Sequence, residues 1–196
     1  MTKQLNLIAF VCAIVFSACV VIAHLINTEL NWLSHTLSQY ALGDKGLIIT
    51  FGFYCIGLTQ VLLAISFLSL RQKGISKGAT LLFAAGIGVF IIALFPTQPP
   101  SVDILLRLPH IAGAISYFLL FPLAVLAISP GIKTAGLKKY SFVTGYACLV
   151  LFVLLLVLFI AKSWVDVPFF GLLEKLNILI INAWLIVFSM HINQRF

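Results

Sequence analysis

The sequence predicts an all-α integral membrane protein: a six-helix bundle with a short amphipathic interfacial helix in the first outer loop. Of its 196 residues, 62% are hydrophobic and only 9% are charged, and the mean hydropathy is +1.18. A soluble domain carries roughly 25% charged residues, so this composition argues against a soluble globular protein. Apolar runs of about 20 residues cross a bilayer. Six such runs lie near 5–27, 47–70, 79–97, 105–129, 140–162 and 170–192.

The short connections between these runs predict a single transmembrane domain over 1–196. A closed β-barrel is the other spanning architecture, but the runs are too long and do not alternate apolar with polar residues. The first run contains His24 and has no evident A-x-A cleavage site, which favours a retained helix over a cleaved signal peptide. Every cysteine falls within a predicted span, which indicates packing residues rather than a disulfide framework: Cys12, Cys19, Cys55 and Cys148.

The net charge of +7 is distributed unevenly along the chain. The N-terminus, the second and fourth loops and the C-terminus carry basic residues and no acidic one: Lys3, Arg71, Lys73, Lys77, Lys133, Lys138, Lys139 and Arg195. The remaining loops and helix ends hold every carboxylate: Glu29, Asp44, Asp103, Asp166 and Glu174. The positive-inside rule therefore predicts a multi-pass inner (plasma) membrane protein with both termini cytoplasmic. Lysines beside anionic lipid follow from this topology, so the charge indicates no nucleic-acid partner.

The first outer loop, residues 28–43, predicts a short amphipathic helix along the membrane interface. Its apolar residues follow one helical stripe: Leu30, Leu33, Leu37 and Tyr40. Gly43 is placed to end this helix in a left-handed conformation. We expect the helix either to seal the bundle as a lid or to lend Ser38, His35 or Tyr40 to a polar site.

The remaining features of the spans are typical of helix packing rather than of a catalytic or binding site. The second and third form a hairpin across the basic turn 71–77, and their glycines permit close helix contact: Gly52, Gly57, Gly86 and Gly88. Pro122 predicts a kink in the fourth span. The fifth is aliphatic and aromatic over 150–160 and is expected to face lipid, whereas Asn182 in the sixth predicts an interhelical hydrogen bond.

The polar segment 95–110 predicts the functional end of the protein. Its prolines forbid a continuing helix: Pro96, Pro99 and Pro100. The next span then opens with Asp103, Arg107 and His110, whose spacing of i, i+4 and i+7 places all three on one helical face. Charged groups at the mouth of an apolar helix are costly unless something uses or satisfies them, so this face predicts a site.

A second polar group lies about one turn into the sixth span. Glu174 and Lys175 interrupt an otherwise apolar run, and Asn177 follows a little deeper. Charges inside a span face the protein interior or water. We therefore expect Glu174 and Lys175 either to join the site that opens the fourth span or to neutralise each other near the interface.

Several motifs occur together in this chain. The outer loop ends in Tyr40-Ala41-Leu42-Gly43, Phe95-Pro96-Thr97 precedes an acidic residue and a histidine, and the sixth span opens with Gly171-Leu172-Leu173-Glu174-Lys175. Over nearly its whole length the chain thereby resembles a bacterial membrane family catalogued as domain of unknown function 998. The family pattern has an acidic residue directly after Phe-Pro-Thr, where this chain has Gln98, and Glu-Arg in place of Glu174-Lys175. The resemblance implies the architecture and no activity.

The polar residues at the outer end predict a protein that binds or processes a lipid or another small amphiphile. Catalysis by a nucleophile needs a base within hydrogen-bond reach and a third group that orients the base. The candidates for these roles are Ser38, Asp103, His110 and Glu174. Arg107 and Lys175 are candidates to bind an anionic part of the substrate, and Tyr40 is a further candidate for substrate binding.

Other functions stay open at this stage. The same residues suit a receptor, carrier or chaperone-like protein that binds an amphiphile without turnover. They also suit a structural or assembly subunit, or a b-type haem protein with His24 and His110 as axial ligands. A metal site built from His110, His35 and a carboxylate lacks an HxxxH or HExxH spacing, so no metal is predicted. Six helices are few for a transporter, although a homo-oligomer would still allow a translocation path across the membrane.

Overall fold

The computed structural model describes residues 2–99, 101–162 and 164–195, and all regular structure in these ranges is helical. The helices are α1 (Thr2–Ile26), α2 (Leu37–Tyr40), α3 (Leu47–Leu68), α4 (Lys73–Leu94), α5 (Ile104–Ile128), α6 (Ala135–Ala161) and α7 (Phe170–Arg195), with a 3-10 turn (Ser129–Gly131) after α5. All but α2 are long and apolar enough to cross a membrane. The predicted six-helix membrane bundle is therefore confirmed.

The six long helices form a closed ring. Each packs against the next one along the chain, and α7 closes the ring against α1 while also touching α3. Because consecutive helices that each cross a membrane run in opposite directions, neighbouring helices are antiparallel. The α1–α3 loop, the start of α5 and the start of α7 consequently meet at one end of the bundle, which we call the α2 end.

The close contact predicted between the second and third spans is present, since a Cβ atom on Gly86 of α4 would lie 3.0 Å from the Gly57 carbonyl oxygen of α3. A still closer contact joins α4 and α5. A Cβ atom on Gly88 would lie 2.8 Å from the Gly113 carbonyl oxygen, and one on Gly113 would lie 2.7 Å from the Gly88 oxygen. These distances are shorter than van der Waals contact, so the two backbones touch at this point only because neither residue has a side chain. This contact brings the start of α5 close to the end of α4.

Polar side chains tie α7 to both of its neighbours in the ring. The Asn182 Nδ2 donates to Ser17 Oγ at 2.8 Å and to the Ala13 carbonyl at 3.3 Å, which confirms the expected interhelical bond. The Trp184 Nε1 donates to Ser141 Oγ on α6 at 2.9 Å. Because hydrogen bonds inside a hydrophobic bundle are protected from water, they fix the position of α7 between α1 and α6.

The structure differs from the sequence expectation around the α3–α4 connection. α4 begins at Lys73, six residues before the apolar run, so the predicted turn over 71–77 is wrong. The polar first turn is still helical, and Ser76 Oγ donates to the Gln72 carbonyl at 3.0 Å. The reversal is made instead by Arg71, whose φ of 54° lies in the left-handed region. Hydropathy marks where a helix is apolar and not where it begins.

The proline-dense segment separates α4 from α5 as expected, although Pro100 lies outside the described residues. α4 ends at Leu94, and α5 then runs as one helix through Pro109 and Pro122. On α6 the outer face is exposed, as predicted for a lipid-facing span, at Val150, Val153 and Val157.

Candidate functional site

The loop between α1 and α3 is held against the first turn of α7. The Leu172 backbone N–H donates to the Leu33 carbonyl at 2.8 Å. The Lys175 ammonium donates to the Trp32 carbonyl at 3.0 Å and also to the His35 carbonyl. Charge-assisted hydrogen bonds of this kind are about twice as strong as neutral ones. The loop is therefore positioned by α7 rather than by its own helix propensity.

Gly171 allows this close approach. A Cβ atom at residue 171 would overlap the backbone carbonyl of His35, so any side chain there would push the loop away from α7. The motif from Gly171 to Lys175, noted in the sequence for its charges, thus docks the loop. The structure places Lys175 in this docking contact, with Nζ 5.2 Å from the centre of the Tyr40 ring, and Lys175 does not line the cavities described below.

Tyr40 lies beneath the loop. Its ring is buried, and it packs against the imidazole of His24 with centroids 4.6 Å apart. Burial, with a smaller effect of the Glu29 carboxylate, raises the pKa of the Tyr40 phenol above its ordinary value, so the phenol stays neutral. The structure therefore gives Tyr40 a packing position and places it outside the cavities described below.

α2 is a single capped turn within this loop. Thr36 Oγ1 accepts the Gln39 backbone N–H at 3.3 Å, and the Gln39 side chain accepts the Thr36 backbone N–H at 2.8 Å. This reciprocal capping box stabilises the start of the turn. The amphipathic helix expected along the loop is limited to this turn, because the preceding residues form turns held by α7. Gly43 has the predicted left-handed conformation, with a φ of 76°, but it does not end the helix, because α2 ends at Tyr40 with Ala41 as its C-cap.

The α2 turn places the Ser38 hydroxyl beside the imidazole of His110. The Ser38 Oγ lies 3.1 Å from His110 Nε2, and His110 Nδ1 lies 2.8 Å from the Phe95 carbonyl oxygen. A carbonyl oxygen only accepts, so Nδ1 carries the proton and Nε2 is left as the acceptor of the Ser38 hydroxyl. Ser38 therefore faces the basic nitrogen of a buried, oriented imidazole.

Glu174 is the buried carboxylate of this region. Its side chain is 7% exposed, and the Oε2 atom has no hydrogen-bond partner among the described residues. Because a buried carboxylate without full hydrogen bonding is unfavourable, Glu174 is a candidate for a functional rather than a packing role.

A cavity of about 220 Å³ opens at the Ser38–His110 pair, between α5, α6 and α7. Its polar end is formed by Thr36, Ser38, Thr97, Gln98, Arg107, His110 and Glu174. Its remaining walls are apolar, and the aromatic ones are Phe118, Phe152, Phe159 and Phe170. Phe159 and Leu156 are also exposed on the outside of the bundle, so the cavity is separated from its surroundings by single side chains between α5 and α6.

The predicted site residues are only partly brought together. Ser38, Arg107, His110 and Glu174 share the cavity wall, although Ser38 is separated by 72 residues from His110. Asp103 lies apart from them: it is exposed, and its carboxylate caps α5 by accepting the Leu105 backbone N–H at 2.9 Å. Its expected place on one helical face with Arg107 and His110 is lost because the helix begins only after it.

The remaining histidines at this end point elsewhere. His24 Nδ1 donates to the Val20 carbonyl at 2.7 Å, and the His35 Nδ1 lies 3.1 Å from the Asn31 carbonyl. Within the described ranges, no three side chains of the metal-binding types His, Cys, Asp and Glu come together.

Sequence reasoning missed two groups that complete the site. The first is the Phe95 carbonyl, which orients His110 and which no side-chain pattern reveals. The second is the Tyr117 hydroxyl, which is buried without a hydrogen-bond partner in the described structure. A sequence signal existed for Tyr117, because it lies two helical turns after His110 and therefore on the same face of α5.

Comparison with known proteins supports the architecture and supplies no activity. No curated protein and no solved structure matches the chain. A family model described as a protein of unknown function, DUF998, matches residues 10–191, which is most of the chain. The resemblance noted from the sequence motifs is thereby confirmed, and the chain belongs to the DUF998 family.

Proposed function

We propose that this protein is a membrane-embedded serine hydrolase or acyltransferase that acts on an ester of a lipid or other small amphiphile. The observation that carries the proposal is the Ser38–His110 pair, with 3.1 Å between Oγ and Nε2. A hydroxyl becomes a nucleophile when a base lies within hydrogen-bond reach and a third group orients the base. Here the third group is the Phe95 carbonyl rather than a carboxylate.

The acyl-transfer step follows from this geometry. Ser38 Oγ attacks the ester carbonyl carbon while His110 Nε2 takes the hydroxyl proton. The imidazolium that forms is stabilised by the Phe95 carbonyl at Nδ1. His110 then gives its proton to the departing alcohol as the ester bond breaks, which leaves the acyl group on Ser38. The imidazole returns to its neutral form, so no additional proton source is needed.

The shape of the cavity favours an amphiphile as the substrate. Typical ligand pockets measure about 300–1,000 Å³, so the 220 Å³ here suit the reacting carbonyl and the first part of one chain. The rest of the chain would pass between α5 and α6 into the hydrocarbon of the membrane. Arg107 stands at the polar end of the cavity and would hold an anionic part of the headgroup.

Alkyl fluorophosphonate labelling tests this proposal, because the reagent reacts covalently with activated serines. We expect one adduct per chain in protein reconstituted in liposomes, located at Ser38 by peptide mass spectrometry. The Ser38→Ala protein should give no adduct. Ser34→Ala is the matched control, since Ser34 is in the same loop and the histidine nitrogen nearest to it, His35 Nδ1 at 3.3 Å, donates to the Asn31 carbonyl and is not a base. Labelling that survives in Ser38→Ala would contradict the proposal.

The α2 end, and with it the site, is proposed to face the extracytoplasmic side of the inner membrane, with both termini cytoplasmic. The support is the charge distribution, because the basic loops lie at the opposite end. In intact cells, Asp166→Cys at the α2 end should react with a membrane-impermeant maleimide. Gly136→Cys at the other end should react only after the membrane has been permeabilised. Both positions are exposed, and no atom lies within 4 Å of a Cβ at residue 136. The reverse labelling pattern would show that the protein has the opposite orientation in the membrane.

A binding protein without turnover is the second candidate. This function is favoured by the apolar walls of the cavity and by Arg107, because both can bind an amphiphile without any reaction taking place. Reversible retention of the fluorophosphonate, without an adduct, would identify this function. The b-type haem alternative has less support, because both nitrogens of His110 are engaged and the ring of His24 packs against Tyr40.

A further inference from the structure

A second, smaller cavity lies directly beside the first. It measures about 40 Å³ and is enclosed by α1, α3, α4, α5 and α7 around the α2 turn. Both cavities share Ser38, Ala114, Phe118 and Glu174 as lining residues. His110 lines only the larger cavity. Ser38 thus lies at the boundary of the two cavities, and His110 lies on one side of that boundary only.

Three polar side chains face this inner cavity: Ser38, Tyr117 and Glu174. Among the described residues, neither the Tyr117 hydroxyl nor Glu174 Oε2 has a hydrogen-bond partner, and both side chains are more than nine-tenths buried. Leaving such buried polar groups without a hydrogen bond is unfavourable. A bound water requires roughly 10–15 Å³ of volume and two to four polar partners, and the inner cavity supplies both.

We infer that the inner cavity holds the hydrolytic water of the reaction, with Glu174 as its general base and Tyr117 as the group that positions it. This inference rests on the proposed acyl transfer to Ser38. It assigns the two half-reactions to two bases on opposite sides of the serine. His110 serves acylation in the larger cavity, where the alcohol leaves, and Glu174 serves deacylation from the inner cavity.

The deacylation step balances without any other reactant. The water oxygen bonds to the carbonyl carbon of the acyl group on Ser38, and Glu174 takes one proton of the water. When the bond between that carbon and Ser38 Oγ breaks, Glu174 returns the proton to Oγ. The product is a free carboxylic acid, and both Ser38 and Glu174 recover their starting states.

The assignment predicts that the protein is a hydrolase whose acyl-enzyme accumulates when Glu174 is changed. p-Nitrophenyl octanoate serves as the probe, followed by rapid mixing and by intact-protein mass spectrometry. In Glu174→Gln we expect a stoichiometric burst of p-nitrophenol, a steady-state rate at least about 10²-fold below wild type, and an octanoyl group on Ser38. Tyr117→Phe should show the same pattern with a smaller fall in rate.

Asp103→Asn is the matched control, because this carboxylate caps α5 and lines neither cavity. We expect its burst and its steady-state rate to equal those of wild type. A Glu174→Gln protein that turns over at the wild-type rate would overturn the inference while leaving acyl transfer to Ser38 intact. Loss of the burst and of fluorophosphonate labelling in Glu174→Gln would also overturn it, since Glu174 would then act in acylation. If Ser38→Ala turned over the ester at the wild-type rate, the proposed function itself would be contradicted.

The bound water has a test that does not depend on turnover. Hydroxyl radicals generated by X-ray radiolysis oxidise buried side chains that contact bound water. We expect rapid oxidation of Tyr117 although it is only 4% exposed, and no oxidation of the fully buried Trp184, whose Nε1 is paired with Ser141. Protection of Tyr117 equal to that of Trp184 would show that the inner cavity is dry and would overturn the inference.

Discussion

A His110→Asn protein is expected to lose its covalent reaction at Ser38 while keeping its fold. The imidazole makes two hydrogen bonds that this substitution separates. The asparagine Nδ2 takes the place of Nδ1 and still donates to the Phe95 carbonyl, but nothing replaces Nε2, which lies 3.1 Å from Ser38 Oγ. Because a general base contributes about 10²–10⁴-fold to rate, we expect the fluorophosphonate labelling rate to fall by that factor.

The matched control is His191→Asn. His191 Nδ1 donates to the Val187 carbonyl at 2.8 Å, a bond of the same kind at the opposite end of the bundle and far from Ser38. Its labelling rate should equal that of wild type. The measurement is the adduct fraction over time by intact-protein mass spectrometry, with thermal unfolding recorded for each variant. Equal labelling of His110→Asn and wild type would mean that the imidazole does not activate Ser38.

Gly171→Val is expected to have the largest effect of any single substitution outside the cavities. A Cβ atom at residue 171 would overlap the His35 backbone, which is packed on the first turn of α7 and is not free to move without releasing the loop. Overpacking of this kind costs about 1–3 kcal/mol in stability. Because the same loop carries Ser38, we expect the labelling rate to fall at least tenfold, since ångström-scale misplacement costs about 10²-fold.

Gly136→Val provides the comparison for this prediction. A Cβ atom at residue 136 meets no atom within 4 Å, so the substitution changes helix propensity at the start of α6 and nothing in the loop. Thermal unfolding in detergent and the rate of Ser38 labelling would be measured for both variants. A Gly171→Val protein with the stability and labelling of wild type would show that the loop is not positioned by its contact with α7.

The sequence predicted the architecture well because the relevant signals are local. A run such as 47–70 is long and apolar enough to span a bilayer whatever surrounds it, and the structure has α3 at Leu47–Leu68. The same reasoning failed at the start of α4. The first turn from Lys73 is polar yet helical, and hydropathy does not register a polar helix end.

The sequence predicted which types of residue belong to the site, but it did not predict which of them contact one another. Ser38, His110 and Glu174 stood out because polar groups in an apolar chain are costly, and the structure places all three on one cavity. Asp103 and Lys175 stood out for the same reason, yet one caps a helix and the other holds the α1–α3 loop. In a sequence, a charged residue that forms a local structural contact cannot be distinguished from one that belongs to a site. Only the group that it contacts in the folded protein distinguishes the two cases.

By itself, the sequence determined the six spans, the family and the end of the bundle where polar groups gather, because span length, hydropathy and motif order belong to the chain alone. Only the tertiary structure decided that Ser38 meets His110 across 72 residues and that the Phe95 carbonyl orients the imidazole. Those contacts depend on the docking of one loop on α7 at Gly171 and on the helix packing around it. Distances of about 3 Å between remote segments are set by packing, and no local pattern contains them.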